Sequence, residues 1–114
     1  MKYLLQIYDD GALEEFQRRS PEEQDAIVRE FAAITGSPGV VAGEQLQPAD
    51  TSTTVRVQGG QTLLSDGPYI DAKEHVGGFY LIEADELDEA LEIAARIPVT
   101  RFGGAVEVRP VLER

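Results

Sequence analysis

The sequence predicts an α+β domain of the ferredoxin-like, split βαβ type: an antiparallel sheet with two helices on one face and an inserted β-hairpin. Three observations predict it. Runs rich in apolar and β-branched residues alternate with two segments of helical period, in the order strand, helix, strand, hairpin, strand, helix, strand. A Gly59-Gly60 pair between two short β-rich runs is a hairpin signature, and removing that hairpin leaves two βαβ halves. The 114 residues suit a single core, so one domain is expected over 1–114.

Lys2-Tyr3-Leu4-Leu5-Gln6-Ile7-Tyr8 is almost continuously apolar and stops at the turn signal Asp9-Asp10-Gly11. It reads as a central strand covered on both faces. Ser20-Pro21-Glu22-Glu23 starts a helix: serine caps, proline suits the first helical position, and Glu23 completes a capping box. Ile27, Val28, Phe31 and Ile34 recur at helical spacing until Gly36-Ser37-Pro38-Gly39 ends the helix. Residues 40–46 read as a second strand and 47–50 as a loop. Residues 53–57 and 61–64 flank the hairpin turn, and residues 78–83 form a further strand that is apolar on both sides. Asp85 is placed to cap the second helix, whose stripe is Leu87, Ala90, Leu91 and Ala94, with Ile97 beyond and Pro98 as the stop. Asp85, Glu86, Asp88 and Glu89 crowd its first turn, where carboxylates complement the helix dipole. Residues 104–111 alternate apolar and polar, the mark of a last strand with one wet face.

Helices on one face leave the other face of an apolar sheet open to water. A second copy of the chain is expected to cover it, giving a homodimer with sheets face to face, a dimeric α+β barrel. The net charge of −11 argues against nucleic acid or an anionic membrane as a partner. No cysteine is present, which removes disulfides, thiolate nucleophiles and thiolate metal sites. The N-terminal apolar stretch is too short for a signal peptide, and no run approaches the ~20 apolar residues of a membrane span. A cytoplasmic protein is expected.

Chemistry-bearing side chains concentrate between residues 66 and 78, which hold the single histidine, three carboxylates, a lysine and a tyrosine. Asp66 has two readings: a turn residue bonding to backbone N–H groups two positions on, or a general base held at a strand end. His75, the side chain that titrates nearest neutral pH, is either an acid/base group or a hydrogen-bonded loop residue. Tyr69 either donates to a substrate oxygen or is a core ring with its hydroxyl at the edge. Lys73 is an exposed partner of Glu74 or Asp71, or it orients an anionic ligand. Arg109 either clamps a ligand carboxylate or pairs with Glu107 or across a dimer. Tyr8 and Asp9, at the end of the first strand, are placed to line the same cleft. Gly77-Gly78 lets the chain enter its strand close to other backbone. The sequence shows no nucleophile elbow, phosphate loop or redox motif, so catalysis, if present, is expected to be acid/base chemistry with no cofactor and no metal.

Ser65-Asp66-Gly67-Pro68-Tyr69, with Ala72-Lys73-Glu74 and Gly77-Gly78-Phe79-Tyr80, resembles the DGPF motif of the YCII-related proteins. Thr53-Thr54-Val55-Arg56, Leu87-Asp88-Glu89-Ala90-Leu91, Ala94-Ala95-Arg96-Ile97-Pro98 and Val106-Glu107-Val108-Arg109-Pro110-Val111 match as well, so the resemblance covers essentially the whole chain. It implies a dimeric α+β barrel and a small-molecule cleft. YCII-type relatives resemble enzymes with a His–Asp pair in a pocket, and a dehydrochlorinase acting on a chlorinated aromatic is similar; for this chain lyase, isomerase or dehalogenase-like proton transfer with Asp66 as base is the expected chemistry. For other relatives the resemblance implies a non-catalytic, regulatory role linked to an extracytoplasmic-function sigma factor. Tyr69 stands where the motif usually has phenylalanine, and relatives with a candidate catalytic histidine place it in the N-terminal half. This chain has no histidine before His75, so Asp66 alone is carried over as a pocket carboxylate.

Overall fold

A computed structural model describes residues 1–9, 11–70 and 74–114. Strand β1 (Lys2–Tyr8) leads into a short helix α1 (Ala12–Gln17) and a long helix α2 (Pro21–Thr35). Strand β2 (Val40–Gln45) follows, then the hairpin β3 (Thr53–Gln58) and β4 (Gln61–Asp66). Strand β5 (Val76–Glu83), helix α3 (Leu87–Arg96) and strand β6 (Ala105–Pro110) complete the chain. The main sheet has the order β2-β5-β1-β6 with every pairing antiparallel, which is the split βαβ arrangement expected. No helix among the described residues is long and apolar enough to cross a membrane.

Period-2 alternation divides the sheet into two faces. Tyr3, Leu5 and Ile7 of β1 and Tyr80 and Ile82 of β5 point to the helices and form the core with Ile34, Ala90, Ala94 and Ile97. Leu4, Gln6, Tyr8, Phe79 and Leu81 point the other way and are only half-buried. Within one chain, the central strand expected to be covered on both sides is covered fully on one.

The capping box forms at α2: the Ser20 hydroxyl accepts from the Glu23 N–H at 3.2 Å and faces the Glu23 carboxylate at 3.2 Å. Three details depart from expectation. Helix α1 is an additional helix, hidden in sequence because six residues give no readable period. The α3 stripe is Ala90, Ile93, Ala94 and Ile97, while Leu87 and Leu91 are exposed: small alanines let α3 lie close to the sheet. Asp85 does not cap α3. Its N–H instead donates to the Glu89 carboxylate at 3.1 Å, and Glu86 occupies the cap position.

The hairpin turns through Gly59 (φ 56) and Gly60 (φ 78), both in the left-handed region that a type I′ turn requires. It forms a two-stranded sheet of its own. Val55, Val57 and Leu64 share one face of it and are 60–68% exposed. The radius of gyration, 16.2 Å, exceeds the ~13 Å expected of a compact chain of this length, as an arm extending from the body requires.

A bidentate pair joins α2 to the segment before β6: Arg101 donates to Glu30 at 2.8 and 3.0 Å. The Arg101 guanidinium holds the Glu30 carboxyl below its ordinary value, chiefly through these hydrogen bonds. A depressed carboxylate pKa contributes stability above the unfolded pKa, and that contribution is lost as pH falls through the folded value. Glu30→Gln should therefore cost about 0.5 kcal/mol at pH 7, the size of an exposed pair. The gap between variant and wild type should close below about pH 4, in denaturant titrations at several pH values.

Candidate functional site

A cavity of about 540 Å³ lies between α1, α2 and the β5–β2 side of the sheet. Its walls are apolar: Phe16, Ile27 and Phe31 from the two helices, with Val99 and Phe102 from the segment before β6. Its floor is bare sheet backbone, because Gly43, Gly77 and Gly78 carry no side chains there. Two of these glycines are needed for a specific neighbour. A Cβ on Gly43 would lie 2.5 Å from the Tyr80 ring, and a Cβ on Gly77 would collide with all three carboxylate atoms of Asp9.

The Asp9 position follows from the β1–β5 register. Ile7 pairs with Gly78 and Tyr8 with Val76, which leaves Gly77 as the extra residue of a bulge. Bulges re-aim side chains and recur beside active sites. Here the bulged residue has no side chain, and the half-buried Asp9 carboxylate packs over it at the cavity. Gly11 (φ 72) then turns the chain into α1, and the Ala12 N–H donates to the Asp9 carbonyl at 2.8 Å. Helix α1 is tied to α2 by Gln24, whose amide donates to the carbonyls of Phe16 at 3.1 Å and Arg19 at 3.2 Å. This fixes the helix end that presents Phe16. At the Tyr80 end, the Thr35 hydroxyl donates to the Phe31 carbonyl at 3.0 Å, and the Tyr80 hydroxyl lies 3.2 Å from Thr35 Oγ1. A largely apolar cavity with the Asp9 carboxylate at one side and a hydroxyl pair at the other has the usual form of a small-molecule site.

The residues singled out from the sequence lie elsewhere. Asp66 ends β4, is exposed, and by register shares the arm face with Val55 and Leu64. The backbone bond read for it cannot form two positions on, because Pro68 has no N–H. The turn is closed instead by the Gly67 N–H donating to the Ser52 carbonyl at 2.7 Å and by Thr54 Oγ1 donating to the Gly67 carbonyl at 2.9 Å. Gly67 (φ 94) supplies the required left-handed backbone. His75 is half-buried in a second, smaller cavity at the arm's base, lined with Leu46, Thr51, Ser52 and Pro68. Asp66 does not line that cavity.

Tyr69 is 65% exposed rather than a core ring, with the Arg56 guanidinium 5.0 Å above its ring. Arg109 is paired with Glu107 at 2.8 Å on the open face. Tyr8 shares that face, turned away from the helices. Lys73 and its possible partner Asp71 lie outside the described residues. The first-strand neighbour Asp9 is the one acid of that reading that reaches the large cavity. Phe16 and Phe102 drew no functional reading, and Phe31 and Tyr80 read only as helix and strand residues. Among the described residues, no three of His, Asp and Glu gather to hold a metal ion.

The family model for the YCII-related domain matches residues 1–114. The chain belongs to the YCII-related family. An uncharacterized protein of Rhizobium meliloti (strain 1021) is 35% identical over 118 residues, covering 97% of this chain and 92% of its own. Among solved structures, the chain is similar to the 5-chloro-2-hydroxyhydroquinone dehydrochlorinase of Burkholderia phenoliruptrix AC1100, in complex with 2,5-dihydroxybenzoquinone. That match has 20% identity and a TM-score of 0.49 and covers 100% of this chain and 96% of the other, a distant likeness of outline.

Proposed function

We propose that this YCII-related protein is a small-molecule enzyme performing cofactor-free proton transfer, with Asp9 as the proton acceptor. The observation that carries the reading is the Asp9 carboxylate seated on the bulged Gly77 at a largely apolar cavity. Lyase, isomerase and dehalogenase-like reactions share one requirement, a base within reach of a substrate proton. In this reading Asp66 and His75 shape the junction of arm and body, and Tyr8, Tyr69 and Arg109 belong to surfaces rather than to the reacting site.

The test is hydrogen–deuterium exchange. Small hydroxy, carbonyl, halogenated and amino compounds are incubated with the protein in D2O, and C–H washout is followed by NMR. Wild type should accelerate exchange in at least one compound. Asp9→Asn should lower that rate by about 10²–10⁴-fold, the usual contribution of a general base. Retention of activity in Asp9→Asn, with loss in Asp66→Asn or His75→Gln, would overturn the assignment.

The working unit in this proposal is a homodimer. Leu4, Phe79 and Leu81 leave the open sheet face apolar, and an isolated two-stranded arm with exposed valines and leucine is marginal in water. A second copy covers both. Light scattering at micromolar concentration should give twice the 12.5 kDa chain mass, and a monodisperse monomer would contradict the dimer.

A further inference from the structure

We propose that the Asp9 cavity takes a small organic cation, an ammonium group carried on a compact apolar body. The inference rests on the reading of this cavity as the reacting site and adds the substrate class. Its first support is charge. Among the described residues, the charged side chain at the cavity is an acid, Asp9; Glu44, opposite Phe79 in the register, lends the rim its backbone, and no lysine, arginine or histidine lines the cavity. A carboxylate or phosphate ligand would meet like charge with nothing to receive it. The chain's net charge of −11 draws cations and repels anions before contact.

The second support is hydrogen-bond direction. The Thr35 proton is given to the Phe31 carbonyl, and the Tyr80 hydroxyl has Thr35 Oγ1 at 3.2 Å and the Phe31 carbonyl at 3.4 Å as its acceptors. With those donors engaged, the Tyr80 end and Asp9 offer lone pairs. The Gln45 amide at the sheet edge can present either sense. A ligand matched to such a site brings its own donors, and an ammonium brings three. One Asp9 oxygen can hold it while the other stays free to accept a proton.

Aromatic rings are the third support. Phe16, Phe31 and Tyr80 line the cavity, and aromatic faces attract cations. Phe102, on the outer wall, already does so: Arg19 stands 4.9 Å and Arg101 5.4 Å from its ring centre.

Three probes of similar shape and different charge test the proposal: benzylamine, benzyl alcohol and benzoate. Each is titrated into wild type and Asp9→Asn, and the Ile7 and Ile27 methyl resonances are followed by NMR. Benzylamine is expected to bind at least tenfold tighter than the alcohol, with benzoate weakest, and the preference should collapse in Asp9→Asn. The wild-type ranking decides the matter even if the variant fails to fold. If benzoate is tightest, or the alcohol equals the amine at the same methyls, the cation class is overturned while the cavity stands. If none of the three moves those methyls, both the class and the cavity reading fail.

Discussion

Gly77→Ala is expected to weaken ligand binding and turnover strongly while leaving the chain folded. The added Cβ would occupy the space now held by the Asp9 carboxylate. Aspartate is short and lies at the surface end of β1, so it yields by swinging out rather than by moving the strand. Stability should change by no more than about 1 kcal/mol, since an alanine suits extended backbone at least as well as glycine does. Affinity or exchange rate should fall about a hundredfold, close to the effect of Asp9→Asn. The double variant should be no worse than either single one, because both remove the same group. Additive losses would mean that Gly77 acts by another route.

The largest stability effect should come from Leu5→Ala. Leu5 lies mid-strand in β1 with no exposed surface, flanked across the sheet by Tyr80 and Val108. Truncating a fully buried leucine removes transfer free energy and leaves a cavity, at a cost of about 3–4 kcal/mol. That is a large part of the roughly 5–15 kcal/mol that holds a domain folded. Denaturant titration should show the midpoint drop at unchanged slope. A loss below about 1.5 kcal/mol would mean that the site collapses around the alanine.

Strands β1, β5 and β6, the capping box of α2 and the Gly59-Gly60 turn were legible in the sequence because each is set by local chemistry. Branched and aromatic runs, a serine before a proline and paired glycines at a hairpin tip keep their meaning in almost any fold. The cavity was not legible in the same way. It depends on register, which pairs the first strand with the fifth and brings Asp9 over Gly77 from opposite parts of the chain. In sequence, Asp9 is one acid in a turn signal and Gly77 one glycine in a pair. A local density of reactive side chains drew attention to residues 66–78 instead. The turn that opens that stretch is closed by Gly67, Ser52 and Thr54, with bonds to backbone carbonyls. The α3 stripe shows the same limit: alanines read as weak apolar signals, yet close helix–sheet packing buries Ala90 and Ala94 and leaves the larger leucines outside.

On the proposed reading, small molecules act in the Asp9 cavity and not at the arm's base. The single histidine makes the two places separable by NMR, since its ring signals can only come from His75, while Ile7 and Ile27 report from the large cavity. In a titration with small aromatic ligands, the Ile7 and Ile27 methyls should shift in a saturable manner while the His75 ring signals stay fixed. A saturable shift of His75 with both isoleucines unmoved would contradict the account.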